Sequence, residues 1–312
     1  MAERFPSTVT DLDRMFPDEE ACRVYLEGLR WPEGFVCPRC QGRNSWSASR
    51  GRHVCRSCRH QSTVIAGTVF QDTRRPLRSW FHAIWQVVSQ KNGASAVSVQ
   101  RSLGLQSYET AWTWLHKLRR AMVNPLRDRL QGTVEVDETI LGGPEPKSWG
   151  RRAGKHKRLV VIAAERRQNR IGRIRLQCVP QATREHLHAF VSATVEPGSQ
   201  VHTDGWAAYR NLDKLGYGHQ ITALLGRKKQ AAAEELPGVH RIASLLKRWL
   251  GGTHHGNVGT AYLDYYLDEF TFRFNRRNAR TPGKLFHTLL YNAVRAEPAP
   301  YDQIVHQAHE TQ

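Results

Sequence analysis

Acidic residues are scarce in this 312-residue chain: 28 Asp and Glu face 46 Lys and Arg, for a formal net charge of +18 at pH 7. No acid falls between Gly34 and Gln71. Such a surface repels basic partners and makes a phosphate backbone the natural ligand, through Coulomb attraction and counterion release. The surplus is also localised. From Gly34 to Val134 there are 16 Lys or Arg against Asp72, Glu109 and Asp128, and from Lys147 to Arg175 there are 11 against Glu165 alone. Long apolar runs are missing as well, and nothing approaches the roughly 18 residues a membrane span needs. Met1 to Glu20 mixes charges with proline, which argues against a secretory leader. The expected setting is the cytoplasm, associated with the nucleoid, with double-stranded DNA as partner and no membrane.

Cysteine is sparse too. Of six, Cys22 and Cys178 stand alone, which argues against a disulfide framework. The other four form Cys37-Pro-Arg-Cys40 and, 14 residues on, Cys55-Arg-Ser-Cys58. Each pair is short enough to grip one ion, and two pairs supply the four thiolates of a structural Zn²⁺ site. A zinc ribbon is expected over residues 35–72, with Val54 and Ser62 to Phe70 as strands around the second pair. Arg39, Arg43, Arg50, Arg52, Arg56 and Arg59 decorate it, so it is a candidate DNA-facing module.

At 40% hydrophobic and 24% charged residues, a chain of this length exceeds one core and implies a large domain with smaller companions. After Pro76 the hydrophobic period is helical: Trp80, Phe81, Ile84, Trp85 and Val88 mark a helix ending near Asn92-Gly93. Ser95 and Ser107 are candidate caps for two more helices, separated by a turn at Gly104. Tyr108, Ala111, Leu115, Leu118 and Met122 form the expected buried stripe of the last one. Three helices with this short turn resemble a helix-turn-helix. Gln106, Ser107, Glu109, Thr110 and Thr113 then become candidate base readers, and Lys117, Arg119 and Arg120 candidate phosphate contacts. A plain helical packing domain is the competing reading.

From Gly132 the period falls to two. Val134 and Val136 face one side of a strand, Glu135 and Asp137 the other. Leu159 to Ala164 and Ile171 to Val179 read as strands, after a basic loop from Leu141 to Lys157. A helix from about Arg184 to Thr194 follows, then a strand from Gln200 ending in Asp204 and a helix from Trp206 to about Leu215. His219 to Leu224 reads as a short strand, and a helix begins near Val239. This order is RNase H-like, although the pattern alone also fits other α/β sheets.

Asp137, Asp204 and His240, if brought together, form a cluster of metal ligands in a very basic protein. At 100° per residue, Ile242, Leu245, Leu246 and Trp249 share one helical face, while His240 and Lys247 lie within about 20° of each other on the opposite face. His254-His255 resembles a metal pair, but adjacent side chains seldom chelate one ion. The aromatics from Tyr262 to Phe274 read as core, with Arg273, Arg276 and Arg277 free to hold DNA. Glu135 and Glu138 flank Asp137 as supporting groups or as exposed strand residues.

The zinc ribbon, the helix-turn-helix, Asp137-Glu138-Thr139, His202-Thr203-Asp204-Gly205-Trp206 and the run from Lys247 to Gly256 together resemble a bacterial insertion-sequence transposase. More narrowly, they resemble the DDE-superfamily branch that joins an N-terminal zinc ribbon to an integrase-like catalytic domain. The resemblance implies two Mg²⁺ ions, or Mn²⁺, held by Asp137, Asp204 and His240, the histidine standing where a glutamate is usual. Lys247 would bind a phosphate near the scissile bond. Glu234 and Glu235 are the alternative acids. It also implies cleavage at terminal inverted repeats and strand transfer by a homodimer or larger assembly. The implied fold class is α/β: an N-terminal helical segment (1–34), the ribbon (35–72), the helix-turn-helix (73–130), an RNase H-like mixed-sheet domain (131–290) and a tail (291–312). The alternative is a domesticated, catalytically inactive DNA-binding protein.

Overall fold

Where the hydrophobic period is near four the chain forms helices, and where it falls to two it forms a sheet. The computed structural model describes residues 5–123, 127–142, 157–168, 170–222, 235–254, 258 and 260–306. It separates into two units, residues 1–124 with 278–311, and residues 125–277.

In the first unit, Thr8 and Asp11 form a capping box that starts α1 (Val9–Met15), and Asp18 caps α2 (Glu19–Arg30). The ribbon is a three-stranded antiparallel sheet in the order β1 (Ser45–Ala48), β2 (Arg52–Cys55), β3 (Gln61–Thr63). The strand expected through Phe70 stops at Thr63. Beyond it the amides of Ala66 and Thr68 bond back to Thr63 and Ile65, and Gly67 takes a left-handed φ of 73°, so the backbone turns. Three helices follow: α3 (Leu77–Ser89), α4 (Ala96–Ser102) and α5 (Tyr108–Ala121). Ser95 and Ser107 cap the last two through their side chains, as their position suggested. Ala111, Leu115, Leu118 and Met122 are buried, and Trp114 of α5 stacks on Trp80 of α3 at 3.9 Å between ring centroids. Tyr108, expected in this stripe, is 49% exposed, because it occupies the first position of α5, where no neighbouring layer covers it. Helix Pro282–Ala293 joins this unit: it packs on α2, α3 and α5, and its buried Phe286 meets Phe81 at 5.5 Å. The sequence reading had assigned residues up to 290 to the catalytic domain.

The second unit is a five-stranded mixed sheet in the order β6-β5-β4-β7-β8, built from β4 (Thr133–Leu141), β5 (Arg158–Arg167), β6 (Arg170–Val179), β7 (Gln200–Asp204) and β8 (Gly218–Thr222). β4, β5 and β6 are antiparallel neighbours, while β7 runs parallel to β4 and β8 parallel to β7. This is the expected RNase H-like order. α6 (Arg184–Thr194) buries Leu187, Phe190 and Val191 with Val134, Val136, Val161 and Val201 on one face. On the other face α7 (Pro237–Thr253) and α8 (Leu263–Asn275) bury Ile242, Leu246 and Leu267 with Val160, Ile162 and Ile174. The helix expected after Trp206 is replaced by two single 3₁₀ turns, Ala207–Tyr209 and Asp213–Leu215. Asn211, at a left-handed φ of 71°, separates them, and Tyr209 and Leu212 anchor the segment in the core. Most of the basic loop, Ala223-Leu224 and Glu234 lie outside the described residues.

α8 also covers the edge of the sheet. Asn275 accepts from the Ile174 amide at 2.8 Å and donates to the Ile174 carbonyl at 3.1 Å, and Asp264 accepts from the Cys178 amide. The arginines of this region are committed inward. Arg273 pairs with buried Glu269, Arg276 lies over Phe272, and Arg277 lies over Phe274 and donates to the Ile171 and Gly172 carbonyls. No helix among the described residues is long and apolar enough to cross a membrane.

Glu165 is 1% exposed and accepts from Arg173, Arg167 and the Gln131 amide. Burial pushes its carboxyl up, and the hydrogen bonds from Arg173 and Gln131 reverse this and leave it below the usual carboxylate range. A depressed folded pKa contributes stability that is present above the ordinary value of about 4.5 and is lost as pH falls through the folded value. Removing one member of a buried pair costs roughly 3–5 kcal/mol. Glu165→Ala is therefore expected to lose about 3 kcal/mol by urea unfolding at pH 7, with the gap to wild type narrowing below pH 4; equal stability at pH 7 would refute this role.

Candidate active site

β4 and β7 are parallel neighbours, with Val136 opposite Thr203. The next residue on each strand is an aspartate, so Asp137 and Asp204 emerge side by side. Asp137 Oδ1 accepts from the Glu138 amide at 2.8 Å, and Asp204 Oδ1 accepts from the Trp206 amide at 2.9 Å. These bonds fix one oxygen of each carboxylate. His240, in the first turn of α7, places Nε2 4.0 Å from Asp137 Oδ2. Lys247 lies two turns further along, exposed. Asp137, Glu138, Thr139, Ile140, Leu159, Asp204, His240 and Lys247 line one cleft of about 360 Å³, so all four residues singled out by spacing share it.

Two groups support this cleft: Tyr209, which the sequence did not single out, and Glu135, which it named as a candidate support. Tyr209 is buried and donates its hydroxyl to Glu138 Oε2 at 2.8 Å. Burial, with the carboxylates of Glu138, Asp137 and Asp204, pushes this phenol well above its ordinary pKa, so it remains a donor. Glu135, 1% exposed, sits two residues before Asp137 on the same face. One of its oxygens accepts from the Val239 amide at 2.9 Å and the other from Arg166 at 2.5 Å. That amide is the residue next to His240, so the carboxylate ties the strand bearing Asp137 to the helix bearing His240. The close approach depends on Gly238, where a Cβ would sit 2.6 Å from Glu135 Oε2.

The donor set suits a divalent cation. His240 Nε2 is buried without a hydrogen-bond partner, 4.0 Å from the Asp137 carboxylate, and a buried polar atom of this kind calls for a ligand. Asp137, Asp204 and His240 do not bring their donor atoms as close together as the thiol set described next. In the ribbon, Cys37, Cys40, Cys55 and Cys58 bring their sulfurs within 4.8 Å of one another, with 3.6 Å for Cys37–Cys58 and for Cys40–Cys55. Tetrahedral Zn–S bonds of about 2.3 Å place sulfurs roughly 3.8 Å apart. Amides of Cys58 and Ser57 contribute to a Cys55 pKa of about 6, favouring the thiolate that zinc binds.

Arg39, Arg43 and Arg56 are exposed on the ribbon, whereas Arg52 bonds to Ser49 and Gln61. On the helix-turn-helix, Gln106 and Glu109 are exposed, and Thr110, Lys117 and Arg120 are half-buried. Thr113 and Arg119 are buried, at 8% and 2% exposure, which removes them from a DNA-reading face. The reason is that α5 packs against α4 and helix Pro282–Ala293 and also stacks on α3, so its buried arc is wider than one stripe.

Two family models match stretches of the chain. A transposase zinc-ribbon domain matches residues 17–61, and an ISXO2-like transposase domain matches residues 129–275, nearly the whole second unit. The chain belongs to the IS1595-type transposases. A similar curated protein is described as an uncharacterized protein in transposable element ISH50 of Halobacterium salinarum. It is 26% identical over 303 residues, which cover 90% of this chain and 99% of its own length. The matched ribbon of this transposase reaches back to residue 17 and so includes α2, where cysteine spacing alone had begun it at 35.

A glycine-to-alanine change inside a helix ordinarily gains up to about 1 kcal/mol. In this transposase, Gly238→Ala is expected instead to lose roughly 1–3 kcal/mol by chemical denaturation, because the new methyl displaces the Glu135 carboxylate from the Val239 amide. A gain in stability would show that the carboxylate does not anchor the helix.

Proposed function

We propose that the transposase binds the terminal inverted repeats of its mobile element and, with divalent metal, cleaves DNA strands there and joins the freed ends to target DNA. The observation that carries this is the convergence of Asp137, Asp204 and the unbonded Nε2 of His240 on one cleft. Asp137, Asp204 and His240 would hold Mg²⁺ or Mn²⁺, which when bound activates water or a 3′-hydroxyl and stabilises the leaving oxygen. Asp137 and Asp204 each keep one oxygen pinned by a backbone amide, and both residues line the cleft. Lys247 neutralises a phosphate at the mouth of the cleft. Arg39, Arg43, Arg52 and Arg56 of the ribbon, with Gln106, Thr110, Lys117 and Arg120 of the helix-turn-helix, supply the DNA contacts. Two ends processed together require at least two protomers, which sedimentation of the paired-end complex would count.

Asp204→Asn is expected to bind end DNA as wild type does, yet to lose more cleavage than the roughly 100-fold typical of losing an outer partner of a metal ligand. Unchanged nicking by this variant would place the chemistry elsewhere. The histidine favours a second reading, a DNA-binding protein without catalysis, because hard cations prefer oxygen to imidazole. Wild type that binds the ends but neither nicks nor joins them in Mg²⁺ or Mn²⁺ would establish that reading. If His240 is a ligand, His240→Glu raises the ratio of Mg²⁺- to Mn²⁺-supported cleavage, and an unchanged ratio removes His240 from the metal shell.

A further inference from the structure

A second cavity, of about 280 Å³, lies at the start of α7 and is lined by Arg166, Arg170, Ile171, Pro237, Gly238 and Arg241. Three guanidiniums share this small volume, and one of them has a counter-charge: Arg166 is paired with buried Glu135. Arg170 and Arg241 are exposed and have neither a carboxylate nor a hydrogen-bond partner among the described residues. The Val239 amide is already taken by Glu135, so any ligand here is held by arginines rather than by the helix end. Like charges this close repel, and an oxyanion between them relieves the repulsion while meeting the planar, two-pronged donor geometry of guanidinium.

The place of the cavity says which oxyanion. Arg166 stands opposite Thr133, four residues before Asp137 on β4, which is about 13 Å along a strand at 3.3 Å per residue. Arg241 directly follows His240. One DNA strand rises about 3.4 Å per nucleotide along the axis while winding around it, which puts successive phosphates about 6–7 Å apart, so a strand seated in the metal-binding cleft would present a phosphate to this cavity roughly two nucleotides away. We infer that Arg166, Arg170 and Arg241 clamp one phosphodiester of the DNA strand about two nucleotides from the scissile bond and so fix which bond enters the cleft. This rests on the proposed function in one respect, that a DNA strand occupies the Asp137–Asp204 cleft. Glu135 links the two sites, since it holds both Arg166 and the amide beside His240.

The test uses the full-length protein and end DNA carrying a single neutral methylphosphonate, scanned from about one to about six nucleotides on either side of the cleavage position. Binding is read by fluorescence anisotropy without divalent metal. One position is expected to weaken wild-type binding about tenfold. Arg170→Ala/Arg241→Ala should weaken binding to unmodified DNA by a similar factor and flatten the salt dependence by about one unit of slope. Combined, the two changes should be no worse than either alone, because both remove the same contact. Effects that simply multiply, or a scan with no sensitive position, would overturn the clamp. Inorganic phosphate separates the other source of this chemistry: millimolar phosphate that raises the Tm of wild type but not of the double variant, with a flat scan, would make the cavity a free-anion site and reject the inference. Because no metal is present, failure of cleavage would bear on the proposed function and leave this readout intact. Neither arginine is paired among the described residues, so the variant should melt like wild type.

Discussion

A buried carboxylate, Glu135, decides where the helix carrying His240 begins. It leaves β4 two residues before Asp137, reaches the Val239 amide, and is neutralised by Arg166. In a low-dielectric interior such a group is tolerable only with its partners in place, and those partners are then held in one geometry. The bare Cα of Gly238 lets the strand and helix approach closely enough for the bond to form. The separation of Asp137 from His240 is therefore set less by the two residues themselves than by the link between their neighbours. Tyr209 also fixes a neighbour of Asp137, donating its hydroxyl to Glu138 in the cleft wall.

The same economy explains the charge of the molecule. Glu135, Glu165 and Glu269 in the second unit are all at most 1% exposed, and each is spent on an internal arginine. Each such pair is neutral as a whole, so the formal net charge of +18 is carried by Lys and Arg outside such pairs.

How far the sequence foretold this depends on the range of the interactions. The four thiols are fixed by local spacing, and the serine caps of α4 and α5 by the three residues that follow them. Asp137, Asp204 and His240 were visible because strand alternation and helical phase carry their directions. Tyr209 and the partner of Glu135 were not, since each bond joins residues far apart in the chain. The burial of Thr113 and the docking of helix Pro282–Ala293 on α3 failed to show for the same reason: both are set by a third layer that periodicity within one helix does not encode. The supposed helix after Trp206 failed locally, where anchoring of Tyr209 and Leu212 in the core overrode a weak helical tendency.

Asn275 and Asp264 satisfy the outward amides and carbonyl of β6 as a neighbouring strand would. That seal arrives late. During synthesis β6 leaves the ribosome roughly a hundred residues before α8 is complete, an interval of about 5–20 s at ordinary elongation rates. For those seconds the Arg170–Val179 edge is an open template, so the nascent chain is most exposed to mispairing with its neighbours on a polysome between the making of the sheet and the making of its cover.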